Sequence, residues 1–88
     1  MALSHAILTA LLDEELSGYD LTRKFETSLG FFWAASHQQI YRELKKLAEE
    51  GLLAARAVPQ AGRPDKIAYA LTEAGRRALE AWVRDTSR

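Results

Sequence analysis

Residues 36–53 read SHQQIYRELKKLAEEGLL, and the fold turns on them. Ser36 followed three residues on by Gln39 is a capping box: the serine hydroxyl takes the amide of Gln39, and the glutamine side chain returns to the amide of Ser36. The pattern predicts a helix over about 36–50, ended by Gly51. With neighbours about 100° apart around the axis, Ile40, Leu44, Leu47 and Gly51 fall in one stripe, and Gln38, Arg42, Lys45, Lys46 and Glu49 lie opposite. The wet face is ordered. Amides, an aromatic and a cation come first (Gln38, Gln39, Tyr41, Arg42), then two lysines, and only then Glu49 and Glu50. Amides and arginine pair with base edges and lysine meets phosphate, so this is the chemistry of a helix that reads a DNA groove. An ordinary amphipathic helix with a solvated polar face has the same pattern, and the flanking segments separate the two.

Downstream of Gly51 the apolar period falls from about 3.6 toward 2, over Leu53 to Val58 and again over Lys66 to Leu71. Two strands are expected, with Ile67, Tyr69 and Leu71 on one face of the second and Ala68 and Ala70 on the other. Pro59 to Asp65, with two prolines and a glycine, are expected to interrupt the pairing and form a protruding tip, lined or flanked by Arg56, Arg63 and Lys66. Thr72 then caps a last helix over about 73–86, with Glu73 in its first turn and Leu79, Trp82 and Val83 as its apolar stripe.

Upstream, Ile7, Leu8, Leu11 and Leu12 predict a first helix over residues 3–13 behind a Ser4 cap, fraying in the acidic run Asp13, Glu14 and Glu15. Ser17 and Asp20 repeat the capping pattern, and Leu21, Phe25 and Leu29 extend a second helix from Gly18 to Leu29, stopped by Gly30. Phe31, Phe32 and Trp33 are either a staple and hinge for the third helix or an exposed aromatic patch. The order helix, helix, helix, strand, strand, helix is a winged helix-turn-helix, a mainly helical α+β fold. Its third helix can enter the major groove while the wing, residues 53–71, lies along the backbone beside it. The candidate DNA contacts are Ser36, His37, Gln38, Gln39, Tyr41, Arg42, Lys45 and Lys46 in the helix, with Arg63 and Lys66 in the wing.

Length and composition agree with one small domain over residues 1–88: 48% of the chain is apolar and 27% charged. The formal net charge is zero, but residues 1–44 carry a net −3 and residues 45–88 a net +3, so the second half is the electrostatic footprint. With no cysteine there is no disulfide or thiolate metal site, and the N-terminus has neither a basic leader nor a run long enough to span a bilayer. The expectation is a cytoplasmic protein without membrane attachment.

The runs WAASHQQIYRELKKLAEEGLL (33–53) and GRPDKIAYALTEAGRRALEAW (62–82), with SGYDL (17–21), resemble the N-terminal domain of the PadR family of bacterial transcriptional regulators. The resemblance covers nearly the whole chain. It implies a repressor domain that binds double-stranded operator DNA as a homodimer and responds to a small molecule, often aromatic or phenolic. It also implies that Trp33 and Trp82, with Phe31 and Phe32, line a ligand cavity, although packing explains each of these rings as well. Family members continue past the wing domain into a long helix or helical module, whereas this sequence stops at Arg88, so it resembles either a short member or an excised domain. Within these residues, Ala6 to Leu12 and Ala78 to Val83 are expected to share packing inside and between subunits.

No catalytic constellation is visible. His5 and His37 each follow a serine, but neighbours on a helix diverge by about 100° and no acid is spaced to orient either imidazole. Two histidines without cysteine make no metal site, and no phosphate-cradling glycine loop is present, so neither enzyme activity nor a cofactor is expected. The rival reading is a winged helix used for protein contact. A steep salt dependence of duplex binding separates the two.

Overall fold

Ser36 closes the capping box: its Oγ accepts the Gln39 amide at 3.1 Å, and Gln39 Oε1 accepts the Ser36 amide at 2.8 Å. The structure is a computed structural model and describes residues 3–29 and 35–86. In chain order its elements are helix α1 (Leu3–Ala10), strand β1 (Leu16–Ser17), helix α2 (Gly18–Lys24) continuing as a π-helical segment (Phe25–Leu29), helix α3 (His37–Glu49), strands β2 (Leu53–Gln60) and β3 (Arg63–Leu71), and helix α4 (Glu73–Thr86). The three strands form one antiparallel sheet in the order β1-β3-β2. Four helices with this small sheet are the winged helix-turn-helix read from the sequence.

The core sits where the apolar stripes of the helices converge. Ile40, Leu44 and Leu47 of α3 pack with Ile7, Leu8 and Leu11 around α1, Leu21 and Phe25 around α2, Leu53 of β2 and Leu79 of α4. Ile40 and Leu44 are fully buried. Burial of such a side chain contributes about 1.5–3 kcal/mol, so the stripe fixes which face of α3 is left outward.

Several expectations are corrected. The first helix ends at Ala10 instead of residue 13, and Ser4 lies inside it instead of capping it. Asp13, Glu14 and Glu15 would stand at the negative end of a longer helix dipole, so the chain leaves the helix before them. The second helix does not run uniformly to Leu29: it widens into the π segment at Phe25, whose ring is buried, and Thr27 Oγ1 donates back to the Arg23 carbonyl at 2.9 Å within that turn. The short strand β1 adds a third member to the sheet, pairing Leu16 with Tyr69 and Ser17 with Ala68. The wing tip is only the Ala61–Gly62 turn. Pro59, Pro64 and Asp65 are absorbed into the strands, at a bulge where the register jumps from Val58–Lys66 to Gln60–Arg63. The prolines are tolerated because Pro59 lies at the bulge on edge strand β2, and Pro64 lies where β1 does not reach β3, so no backbone N–H is needed for a second ladder there. Gly30 lies outside the described residues.

The last helix is anchored by a local device. Thr72 Oγ1 donates to the Gly51 carbonyl at 2.7 Å and accepts the Gly75 amide at 3.0 Å, while the Thr72 amide donates to the Leu52 carbonyl at 3.1 Å. One threonine therefore caps α4 and ties its start to the end of α3. Gly75 completes the joint by lacking a side chain: a Cβ there would stand 2.2 Å from the Leu52 carbonyl oxygen and 2.8 Å from Leu71 Cδ1.

Candidate nucleic-acid interface

Helix α3 turns Gln38, Arg42, Lys45 and Lys46 outward together because the opposite stripe is committed to the core. None of these four side chains has a hydrogen-bond or ion-pair partner among the described residues. Ser36 and Gln39, also exposed, are occupied with each other in the cap, which leaves the Gln39 amide nitrogen as a free donor. Tyr41 is 44% exposed and its ring lies against Gly18, where a Cβ would meet Tyr41 Cε1 at 2.5 Å. That close approach, which the sequence reading missed, locks the first turn of α2 to the outward face of α3. His37 is likewise exposed, but its Nε2 meets Glu26 Oε1 from the π segment. The expectation that no acid is spaced to orient either imidazole is thus corrected for His37, which Glu26, eleven residues earlier in the sequence, meets.

The wing carries Arg63 and Lys66, both exposed and both without a partner among the described residues. Arg56, expected to flank the tip, faces the other way. From β2 its guanidinium reaches across the sheet to Glu15, with Nε donating to Oε2 at 3.2 Å and Nη2 to Oε1. This fork latches the wing strands to the loop before β1. Hydrogen bonding to Arg56, with its positive charge adding a smaller part against some desolvation, holds the Glu15 carboxyl below its ordinary 4.5. A lowered carboxyl pKa means that the latch is intact above about pH 4.5 and opens as pH falls through the lower folded value. The Arg56 Nε–H resonance should titrate with a midpoint below 4.5, and Glu15→Gln should abolish that titration.

Among the described residues, three ion pairs engage cations elsewhere on the chain. Lys24 with Glu14, Arg56 with Glu15 and Arg77 with Glu73 neutralise cations away from α3, while those of α3 and the wing tip stay open.

Trp33 and its neighbours Phe31 and Phe32 lie outside the described residues. Trp82 is half-buried on α4, and its ring stacks on His5 of α1 with centroids 4.4 Å apart. His5 is therefore a packing residue that ties the first helix to the last. Among the described residues no group of acids and histidines is placed to hold a metal ion, and no helix is long and apolar enough to cross a membrane.

The sequence profile of the transcriptional regulator PadR-like family matches residues 7–81. The chain belongs to this family. It is 47% identical over 85 residues to a probable transcriptional regulator of Mycobacterium tuberculosis, covering 97% of this chain and 45% of that protein. It is 47% identical over 81 residues to the negative transcriptional regulator PadR of Bacillus subtilis, covering 92% of this chain and 44% of that one. The crystal structure of Bacillus subtilis PadR in complex with operator DNA superimposes with a TM-score of 0.88 at 46% identity over 93% of this chain and 46% of PadR. A second PadR crystal structure, in complex with p-coumaric acid, matches with a TM-score of 0.78 at 46% identity over 92% of this chain and 41% of that one. The chain thus spans less than half the length of these relatives. Within the matched residues, Thr72 and Gly75 form the joint that seats α4.

Proposed function

We propose that this chain is the duplex-reading part of a cytoplasmic transcriptional repressor that binds its operator as a homodimer and is released by a small aromatic effector. It acts by binding, without catalysing a reaction. The observation that carries the reading is the outward face of α3, where Gln38, Arg42, Lys45 and Lys46 stand without partners among the described residues, beside the open cations Arg63 and Lys66 of the wing. Binding of operator DNA by PadR of Bacillus subtilis, which shares this fold at 46% identity, supports the assignment to DNA over a protein partner. The p-coumaric acid bound by the same relative supports an aromatic effector, for which Trp33 and Trp82 are the proposed contacts. Ser36, His37, Gln39 and Tyr41 complete the proposed DNA surface.

Selection from a random duplex pool, followed by titration at several salt concentrations, tests the reading. Binding should weaken with salt by a slope of about −0.9 per neutralised phosphate, and a salt-independent interaction would contradict it. On the selected site, replacing Gln38 or Arg42 by Ala should cost about 1–3 kcal/mol, with little loss on random duplex. Equal losses on both would move these residues to the backbone. Arg63→Ala, and more weakly Lys66→Ala, should lower affinity for all sequences alike and reduce the slope by about one, with thermal unfolding unchanged.

A further inference from the structure

Between α3 and the wing lies a hollow that the contacts above leave empty. Ser17 and Gly18, the rings of Tyr19, Tyr41 and Tyr69, and Lys66 and Ile67 line it. It joins the start of α2, the outward face of α3 and the middle strand of the wing. Tyr19 is 58% exposed and Ile67 is 41% exposed, so its apolar surface faces water in the free chain. Tyr19 Oη accepts from Arg23 Nη1 at 3.4 Å, which orients the phenol and leaves its own O–H free to donate. Burial, and then the neighbouring Tyr41, push the Tyr69 phenol above its ordinary value, so it also remains a donor.

We infer that this hollow seats one sugar–phosphate unit of the DNA backbone, with Tyr19 as the phosphate donor. The inference rests on the duplex reading above. Once α3 occupies a groove and the wing lies alongside, the strand between them must cross the surface that joins Tyr41 to Lys66, and the hollow is that surface. A deoxyribose presents an apolar flank to the tyrosine rings and Ile67, while its phosphate needs a hydroxyl donor and a cation, which Tyr19 and Lys66 supply. A core role does not account for Tyr19, since most of its ring is exposed. Phosphate contacts of this kind position the protein and carry no sequence information. The hollow therefore adds affinity for any duplex and sets the angle at which Gln38 and Arg42 meet the bases.

The test titrates the full 88-residue chain and its Tyr19→Phe, Tyr19→Ala and Tyr19→Lys variants onto a labelled mixed-sequence duplex at several salt concentrations. Tyr19→Phe should weaken binding by about tenfold, the size of one hydrogen bond to a charged oxygen, with the salt slope unchanged because no charge is lost. Tyr19→Ala should weaken it further, as the sugar loses its platform. Tyr19→Lys should recover affinity and steepen the slope by about 0.9, as expected for a cation placed against a phosphate. Unaltered thermal unfolding of all three separates these effects from misfolding. Wild-type affinity in Tyr19→Phe, or an unchanged slope in Tyr19→Lys, overturns the inference while the duplex reading stands. A wild-type chain that does not bind duplex DNA overturns that reading first and this one with it.

Discussion

Gly75→Ala should lower the thermal midpoint by about 10–25 °C, although alanine is the better helix former. Propensity alone favours the substitution by about 1 kcal/mol within a helix. Against this stands a backbone clash: the new Cβ would lie 2.2 Å from the Leu52 carbonyl oxygen, which cannot rotate away, and 2.8 Å from Leu71 Cδ1. Relief requires α4 to withdraw from the end of α3. That movement strains the Thr72 bonds to Gly51 and Leu52 and lifts Leu79 from the core. Overpacking of this kind costs about 1–3 kcal/mol and occasionally more, and the lost joint adds to it. For a domain of this size each 1 kcal/mol moves the midpoint by about 4–8 °C. Circular dichroism melts of the two proteins decide the matter: an equal or higher midpoint for Gly75→Ala would mean that the joint is slack and propensity rules. Thr72→Ala should act in the same direction and less strongly, because it removes hydrogen bonds without introducing a clash.

The contrast between Gly75 and Gly18 shows what the sequence could and could not express. Helix α3, its capping box and its two faces were legible because each depends on residues three or four apart, and the second capping pair appears as the bond from the Asp20 amide to Ser17 Oγ at 3.0 Å. The strands of the wing were legible from their period, and their tight turn was not, because two prolines read as breakers where they are accommodated at an edge and a bulge. Strand β1 has two residues, too few to show any period. The π segment keeps an apolar spacing that an α-helix would also show. The contacts that shape the interface lie further from sequence reasoning still. Glu15 and Arg56 are 41 residues apart, Glu26 of the π segment meets His37 eleven residues on, and Tyr41 rests on Gly18 because α2 and α3 pack against each other. Each is set by the packing of elements and not by local pattern. The outward placement of the candidate residues on α3 was nevertheless legible, since exposure there follows from what the opposite stripe must bury.

Selection from a random duplex pool should return an inverted repeat, and a duplex carrying both half-sites should be bound about 10²- to 10⁴-fold more tightly than one carrying a single half-site. A helix offering Gln38 and Arg42 supplies at most two good base contacts, each worth about 1–3 kcal/mol of discrimination. A specific regulator exceeds its non-specific binding by about 4–10 kcal/mol in order to stand out among genomic sites, a margin that one α3 reaches only at its upper limit and two reach readily. In the proposed dimer the surface for pairing is the groove that Leu12, just past α1, forms with α4, where Leu12 is 36% and Val83 47% exposed beside buried Leu79, and Arg76, Glu80 and Arg84 complete the lining. Charged rims of both signs beside an apolar centre suit a two-fold contact, in which the Arg84 of one copy can meet the Glu80 of the other. In the proposed dimer, Leu12→Asp combined with Val83→Asp should leave the monomer folded, since neither side chain belongs to the buried core, while the preference for paired half-sites collapses to about unity. Affinity for one half-site should hardly change, which separates loss of pairing from loss of reading. A selected site without two-fold symmetry, bound as tightly by the double variant as by the wild type, would place this chain on DNA as a monomer and return the Leu12–Val83 groove to some other partner.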